Sequence, residues 1–169
     1  MGVDPYEIAG RLAPFLRWEE SSELVERSWR LVARTPDFDA WLIAWPAGGR
    51  VELHDHGMSR GALTVLSGTL VETVPHRDEW GRLDLLRCDL QTGVTLRFDH
   101  GHVHDVLNEG PEPALSLHVY SPALTSMTHF DVAGNEIVAR EVRYTNDGLE
   151  EDSAPVLLRP PPALRLVAQ

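Results

Sequence analysis

Cysteine is nearly absent from this chain. Cys88 is the single thiol among 169 residues, which excludes an intrachain disulfide and a thiolate zinc cluster. Long apolar runs are missing too: none approaches the roughly 18 residues that a bilayer-spanning helix needs. The opening residues, Met1-Gly2-Val3-Asp4-Pro5-Tyr6-Glu7, hold neither the basic nor the apolar region of a secretory leader, so a cytoplasmic location is expected. Positive charge is scarce. Fifteen Lys and Arg face 26 Asp and Glu, and the net charge of −11 sets aside nucleic acid and anionic membranes as partners, because both reward basic patches. It does not restrict a small substrate, whose site can be locally positive. Helical periodicity is also missing from the chain after residue 33.

What is present is compatible with one domain and a sizeable core. Residues 5–18 read as a short helix, with an apolar stripe at Ile8, Leu12, Phe15 and Leu16, broken at Pro14. Ser21-Ser22-Glu23 starts a second short helix by its serine cap and first-turn acid. From Phe38 the pattern alternates with period two. Ala40–Trp45, Val51–His56, Ala62–Leu66, Thr69–Val74, Leu83–Leu90, Gly93–Phe98, 103–108, 114–120, Thr128–Val132 and Ile137–Tyr144 read as strands separated by turn signals. Ser67-Gly68 predicts a hairpin, and Gly134-Asn135 a second one. The expected fold is all-β, an antiparallel sandwich or barrel. Its expected limits are N-terminal helices over 1–33, a barrel over 34–145 and an extended, proline-rich tail over 146–169.

Most of the eight histidines gather in three stretches: His54-Asp55-His56, Gly101-His102-Val103-His104, and Ser116-Leu117-His118-Val119-Tyr120. On a helix, residues two apart diverge by about 200°, but on a strand they share a face. Glu52, His54 and His56 are therefore expected to look into one space. A third imidazole from downstream completes a metal face there. His104 is favoured by its glycine-x-x-His spacing, and His102 shares its face and competes. Ser116, His118 and Tyr120 also share one strand face: a serine can orient a histidine, which in turn can hold a phenol. The bland reading makes Tyr120 a core residue with a satisfied hydroxyl. Glu72 and Asp55 read as structural, and the tryptophans and His129 as packing.

The pattern Gly48-x5-His54-x-His56 with Gly68, and then Gly93-x5-Asp99-x-Gly101-x2-His104-x3-Asn108, resembles the paired signature of the cupin superfamily, small jelly-roll barrels that hold a metal on inward-facing histidines. Many cupins add a glutamate three or four residues after the histidine pair. Here Arg60 and Gly61 stand there, so the site is three neutral imidazoles. Imidazole suits Fe, Zn, Cu and Ni. Without a carboxylate ligand the ion keeps its full charge and three open positions, which favours an anionic ligand such as a thiolate.

The run from His104 through Pro122, with the stretch from Trp45 through His54-Asp55-His56 to Gly68, resembles the cysteine dioxygenase family over roughly residues 30–145. The resemblance implies a non-haem Fe(II) enzyme that adds both atoms of O2 to the thiol of cysteine. It implies His54, His56 and His104 as metal ligands, Tyr120 as the active-site phenol, and His118 and Ser116 as its supports. It also implies an arginine for the substrate carboxylate, with Arg34 the better match and Arg60 its rival. Some members link a cysteine to the tyrosine. Gly61 occupies that position here, so Tyr120 is expected unmodified in a widened pocket, and 3-mercaptopropionate joins cysteine as a possible substrate. The expected partners are a small thiol and O2, with the chain a monomer or weak homo-oligomer. A non-catalytic metal-binding cupin is the rival from another class. Ser116-x-His118-x-Tyr120 argues against it, because a binding module has no need of a positioned phenol.

Overall fold

A computed structural model of the protein describes residues 2–18 and 26–145, together with the backbone of 164–166. Helix α1 (Pro5–Leu12) begins where Asp4 caps it by accepting the Tyr6 N–H at 3.0 Å. Proline stands at its first position, Glu7 in the first turn and Arg11 in the last, each suited to the helix dipole. Pro14 supplies no N–H, and the chain tightens there into a 3-10 turn, Ala13–Phe15.

Strands follow: β1 (Leu16–Trp18), β2 (Ser28–Arg34), β3 (Asp39–Trp45), β4 (Arg50–His54), β5 (Arg60–Ser67), β6 (Thr69–Arg77), β7 (Leu83–Gln91), β8 (Thr95–Phe98), β9 (His104–Leu107), β10 (Ala114–Ser121), β11 (Ser126–Ala133), β12 (Glu136–Tyr144) and β13 (Leu164–Leu166). One antiparallel sheet has the order β2-β3-β10-β5-β8 and the other β12-β11-β4-β9-β6-β7. β13 pairs with β1. The rest of the tail, including Arg159-Pro160-Pro161-Pro162, and nearly all of the helix expected from Ser21 lie outside the described residues.

The fold corrects three local expectations. Residues 28–33 are strand and not helix: Ser28–Arg34 pairs along β3, and Trp29 packs on the core between the sheets. Ser67-Gly68 is not a hairpin. β5 and β6 belong to different sheets, and the chain crosses from one to the other at this turn. Gly68 has φ +73° there, and a Cβ would lie 2.8 Å from that of Ala114, so glycine is needed twice over. The third correction concerns β4. Val51 pairs with Val106 and His54 with His104, so three residue steps on β4 oppose two on β9. One extra residue is a β-bulge, and it reverses the in-out alternation. Glu52 is exposed and bonds Arg140, and does not share the face of His54, which is buried.

Period two governs β3 and β10 without interruption. Trp41, Trp45, Ala114 and Tyr120 enter the core between the sheets, with Val51, Leu63, Val65, Leu70 and Val106. Ala40, Leu42, Ala44, Leu115, Leu117 and Val119 face the other way, into a second core closed by Ala9 with Ile8 and Leu12 of α1. All eight residues of β10 are therefore buried. Leu42 and Leu117, each at 0% exposure, stabilise this layer by roughly 1.5–3 kcal/mol apiece. β10 is thereby clamped from both sides, which fixes its inward side chains. Among the described residues no helix is long and apolar enough to cross a membrane.

Candidate metal centre

The bulge in β4, the turn after it and the first residue of β9 bring His54, His56 and His104 together. Their ring centroids lie 4.8 to 5.1 Å apart. One ligand nitrogen from each falls within 4.8 Å of the others. His102, the competitor for third ligand, turns to Glu72 instead, with its side chain 24% exposed against 1% for His104.

Hydrogen bonds decide which nitrogens are free. His54 Nδ1 lies 2.7 Å from the Glu52 carbonyl, and His104 Nδ1 lies 2.7 Å from Glu72 Oε1. Both partners only accept, so both Nδ1 atoms carry the proton and both Nε2 atoms keep a lone pair. Burial lowers the pKa of all three imidazoles, most strongly for His54 and His56, and neighbouring histidines add to it for those two, whereas Glu72 works against it for His104. All three are neutral near pH 7. His104 Nε2 and both nitrogens of His56 are buried with no hydrogen-bond partner. Leaving such groups unmade costs on the order of 1–3 kcal/mol each. Neutral, converging imidazole lone pairs without another partner fit a transition-metal ion.

Facing this trio, β10 presents a chain of polar contacts. Trp45 Nε1 donates to Ser116 Oγ at 2.8 Å. Ser116 Oγ lies 2.8 Å from His118 Nε2, and His118 Nδ1 lies 3.2 Å from the Tyr120 hydroxyl. An indole only donates, so Ser116 Oγ accepts there and keeps its own proton, and one arrangement of the remaining bonds satisfies every group. Ser116 then donates to His118 Nε2, and His118 Nδ1–H donates to the phenol. The Tyr120 proton is left to point onward into the interior. Burial brings the His118 pKa down to about 3 and pushes that of Tyr120 up, so neutral imidazole and intact phenol coexist near neutral pH. The Tyr120 ring lies 4.9 Å from that of His56.

Phe98 completes the wall. Its ring stacks on His56 at 4.7 Å and 25°, and lies 6.1 Å from that of Tyr120. A Cβ on Gly61 would meet the Phe98 ring at 2.3 Å. The expected widening at Gly61 is therefore corrected: the space left by the missing side chain holds the Phe98 ring.

The two expected arginines are placed differently. Arg60 is exposed and donates to the Val3 carbonyl at 3.2 Å, on the side of β5 opposite to Gly61, so the fold turns it away from the histidines. Arg34 donates from Nη2 to Asp39 Oδ2 at 3.1 Å, and Asp39 is fully buried. Arg27 also sets its guanidinium against the core, 5.1 Å from the Trp29 ring centroid and 5.5 Å from that of Trp45, while Arg34 lies 5.6 Å from that of Trp41. The positive charge of Arg27 adds to the lowering that burial imposes on the pKa values of His54 and His118, and works against the larger rise that burial imposes on Tyr120. The available signal was parity, since Arg27 and Trp29 share a face.

Glu72, read from sequence as structural, touches His104 directly. Asp55 is structural as expected: Oδ1 accepts from the Gly57 and Thr128 N–H groups at 3.1 and 3.0 Å. Asn108 ties the end of β9 to the β3–β4 turn, donating to the Trp45 and Pro46 carbonyls at 3.1 Å.

Two antiparallel sheets around inward histidines define a cupin with a candidate three-histidine metal centre. The profile of the cysteine dioxygenase type I family matches residues 18–133, and the chain belongs to that family. Among solved structures, the fold is similar to an uncharacterized conserved protein with a double-stranded β-helix domain from Klebsiella pneumoniae. The TM-score is 0.52 at 19% identity, over 74% of this chain and 89% of that one. It is also similar to a recombinant oxalate oxidase in complex with glycolate, with a TM-score of 0.53 at 16% identity, over 67% of this chain and 59% of that one. At these identities the likeness concerns the fold.

Proposed function

We propose that this protein is a non-haem Fe(II) thiol dioxygenase that converts L-cysteine and O2 to cysteine sulfinic acid. The observation that carries the reading is the hydrogen-bonded chain Trp45–Ser116–His118–Tyr120, which ends on a phenol beside the histidine trio. A storage or sensing cupin has no use for it. The family match supports the reaction class.

His54, His56 and His104 would hold the metal. Fe(II), when bound, supplies the redox chemistry that joins both atoms of O2 to sulfur. The chain's own residues do the rest. Tyr120 offers a hydrogen bond from a fixed position, and its raised pKa keeps that proton in place. Neutral His118 holds the phenol without competing for its proton. Arg27, carried on two tryptophan faces, is the residue suited to the substrate carboxylate by a paired N–H contact. Phe98 excludes water from the flank of His56 and Tyr120.

A second substrate, 3-mercaptopropionate, is favoured by one observation. Of the buried carboxylates among the described residues, Glu72 accepts from two histidines, Asp39 is taken up by Arg34 and the Leu124 N–H, and Asp105 by Arg50. None of the three is left to select for a substrate ammonium. The acidic surface supports the remaining reading: a cytoplasmic protein, a monomer or weak homo-oligomer, with a small thiol and O2 as its partners and no nucleic acid or membrane.

The test is O2 uptake by iron-loaded protein against a panel of small thiols, with the product identified. Cysteine sulfinate from cysteine is expected. Turnover of 3-mercaptopropionate alone keeps the reaction class and replaces the substrate. No thiol-dependent uptake overturns the enzyme reading in favour of a binding cupin.

A further inference from the structure

The histidine trio brings no negative charge, and the residue that many cupins use as a carboxylate ligand is missing at 60 and 61. A divalent ion on three neutral imidazoles would leave two positive charges in a buried interior, which is costly without a counter-charge. One carboxylate lies a single imidazole away. Glu72 stands on β6, beside β9, with its side chain 4% exposed. A single oxygen, Oε1, accepts from His104 Nδ1 at 2.7 Å and from His102 Nε2 at 2.9 Å. Its ion-pair contacts among the described residues are these two imidazoles. Glu72 is therefore a buried carboxylate that, among the described residues, is held by two imidazoles and by no Lys or Arg.

We propose that Glu72 is the anionic partner of the metal centre, a positioning residue that holds His104 in its ligating tautomer and sets one negative charge behind it, while His102 pins the carboxylate in place. The inference rests on the trio being a metal centre. It reassigns both groups: the missing ligand carboxylate is replaced one residue further out, and His102, which looks like a spare ligand in sequence, serves the carboxylate.

Replacing partners behind ligating histidines typically weakens metal affinity about 10- to 100-fold. Glu72→Gln is the informative variant. The amide oxygen still accepts from His104 Nδ1–H, so geometry is retained and charge alone is lost. Glu72→Asp keeps the charge and shortens the reach. The experiment titrates Co(II) into metal-free wild type and variants, reads the visible Co(II) absorption, and obtains dissociation constants by chelator competition. Wild type is expected to bind one ion per chain. Glu72→Gln is expected to bind roughly 10- to 100-fold more weakly with an altered spectrum, Glu72→Asp to recover part of the loss, and His102→Gln to lose affinity several-fold. The thermal shift caused by Co(II) should shrink in the same order. If Glu72→Gln does not fold, His102→Gln decides the matter, because it spares Glu72 and every ligand. Affinity within twofold of wild type in folded Glu72→Gln, or in His102→Gln when the former does not fold, overturns the proposal. Wild type that binds no Co(II) overturns the metal centre itself, and this inference with it.

Discussion

Trp45 Nε1 and Ser116 Oγ meet at 2.8 Å although 71 residues separate them, and this bond anchors the serine that links the indole to His118 and the Tyr120 phenol. Trp45→Phe keeps most of the packing and removes the donor. Ser116 can then reverse, and His118 can adopt its other tautomer. Unfolding free energy is expected to fall by about 1–3 kcal/mol, for one buried acceptor left unpaired. Turnover should fall further than the stability loss explains. Tyr120→Phe removes the proton at the end of the same chain, and kcat is expected to drop on the order of 10²-fold, with metal content near one ion per chain. Denaturant titration, metal analysis and O2 uptake check both variants. Loss of metal in Tyr120→Phe would make the tyrosine structural.

Arg27 and Arg60 separate cleanly. Arg60→Gln breaks a contact to the Val3 carbonyl on the outer surface and is expected to leave KM unchanged. Arg27→Gln removes the guanidinium set against Trp29 and Trp45, and KM for a carboxylate-bearing thiol is expected to rise about 10- to 100-fold, as for a lost charged hydrogen-bond pair. Kinetics with cysteine and with cysteamine, which has no carboxylate, make the comparison. An Arg27 effect of equal size on both thiols would remove the carboxylate role.

Gly61 and Phe98 occupy one space. A methyl at 61 meets the Phe98 ring at 2.3 to 2.4 Å and the Val119 carbonyl at 2.9 Å. Gly61→Ala is expected to cost about 1–3 kcal/mol by overpacking. Phe98→Leu on top of it should return part of that cost, and the shortfall from additivity measures the contact. The double variant also opens the flank of His56 and Tyr120, so selectivity among thiols should widen in the same protein.

Acid sensitivity follows from His118. Its folded pKa of about 3 lies below the ordinary 6.5, so between these values the unfolded chain binds the extra proton. Stability is then constant above about pH 6.5 and falls as pH drops toward 3. The slope is about 1.4 kcal/mol per pH unit for this one group, or about 2 kcal/mol between pH 6.5 and 5. The buried ligand histidines shift in the same direction and steepen the fall. Denaturant titrations of metal-free protein from pH 7.5 to 5 should give a slope above one proton. A flat profile would place charged, solvated histidines in the interior.

Local sequence determined what depends on near neighbours. Period two along Ala114–Ser121 put Ser116, His118 and Tyr120 on one face, and the structure agrees because α1 and the facing sheet bury both sides of β10. His-x-His, the downstream glycine-x-x-His and the turn residues marked the histidine trio and most strands in the same way. Tertiary structure decided what depends on register between distant strands. The bulge opposite β9 turned His54 inward and Glu52 outward, against simple alternation. The crossing at Gly68 put β5 and β6 in different sheets, although two strands around a Ser-Gly turn have the same local pattern as a hairpin. Arg27, Glu72, Trp45 and Phe98 reached the site only through partners 18 to 71 residues away, as Trp45 with Ser116 and Glu72 with His104 illustrate. Alternation tells a side chain which way to point. Only the pairing of the sheets decides what it meets there.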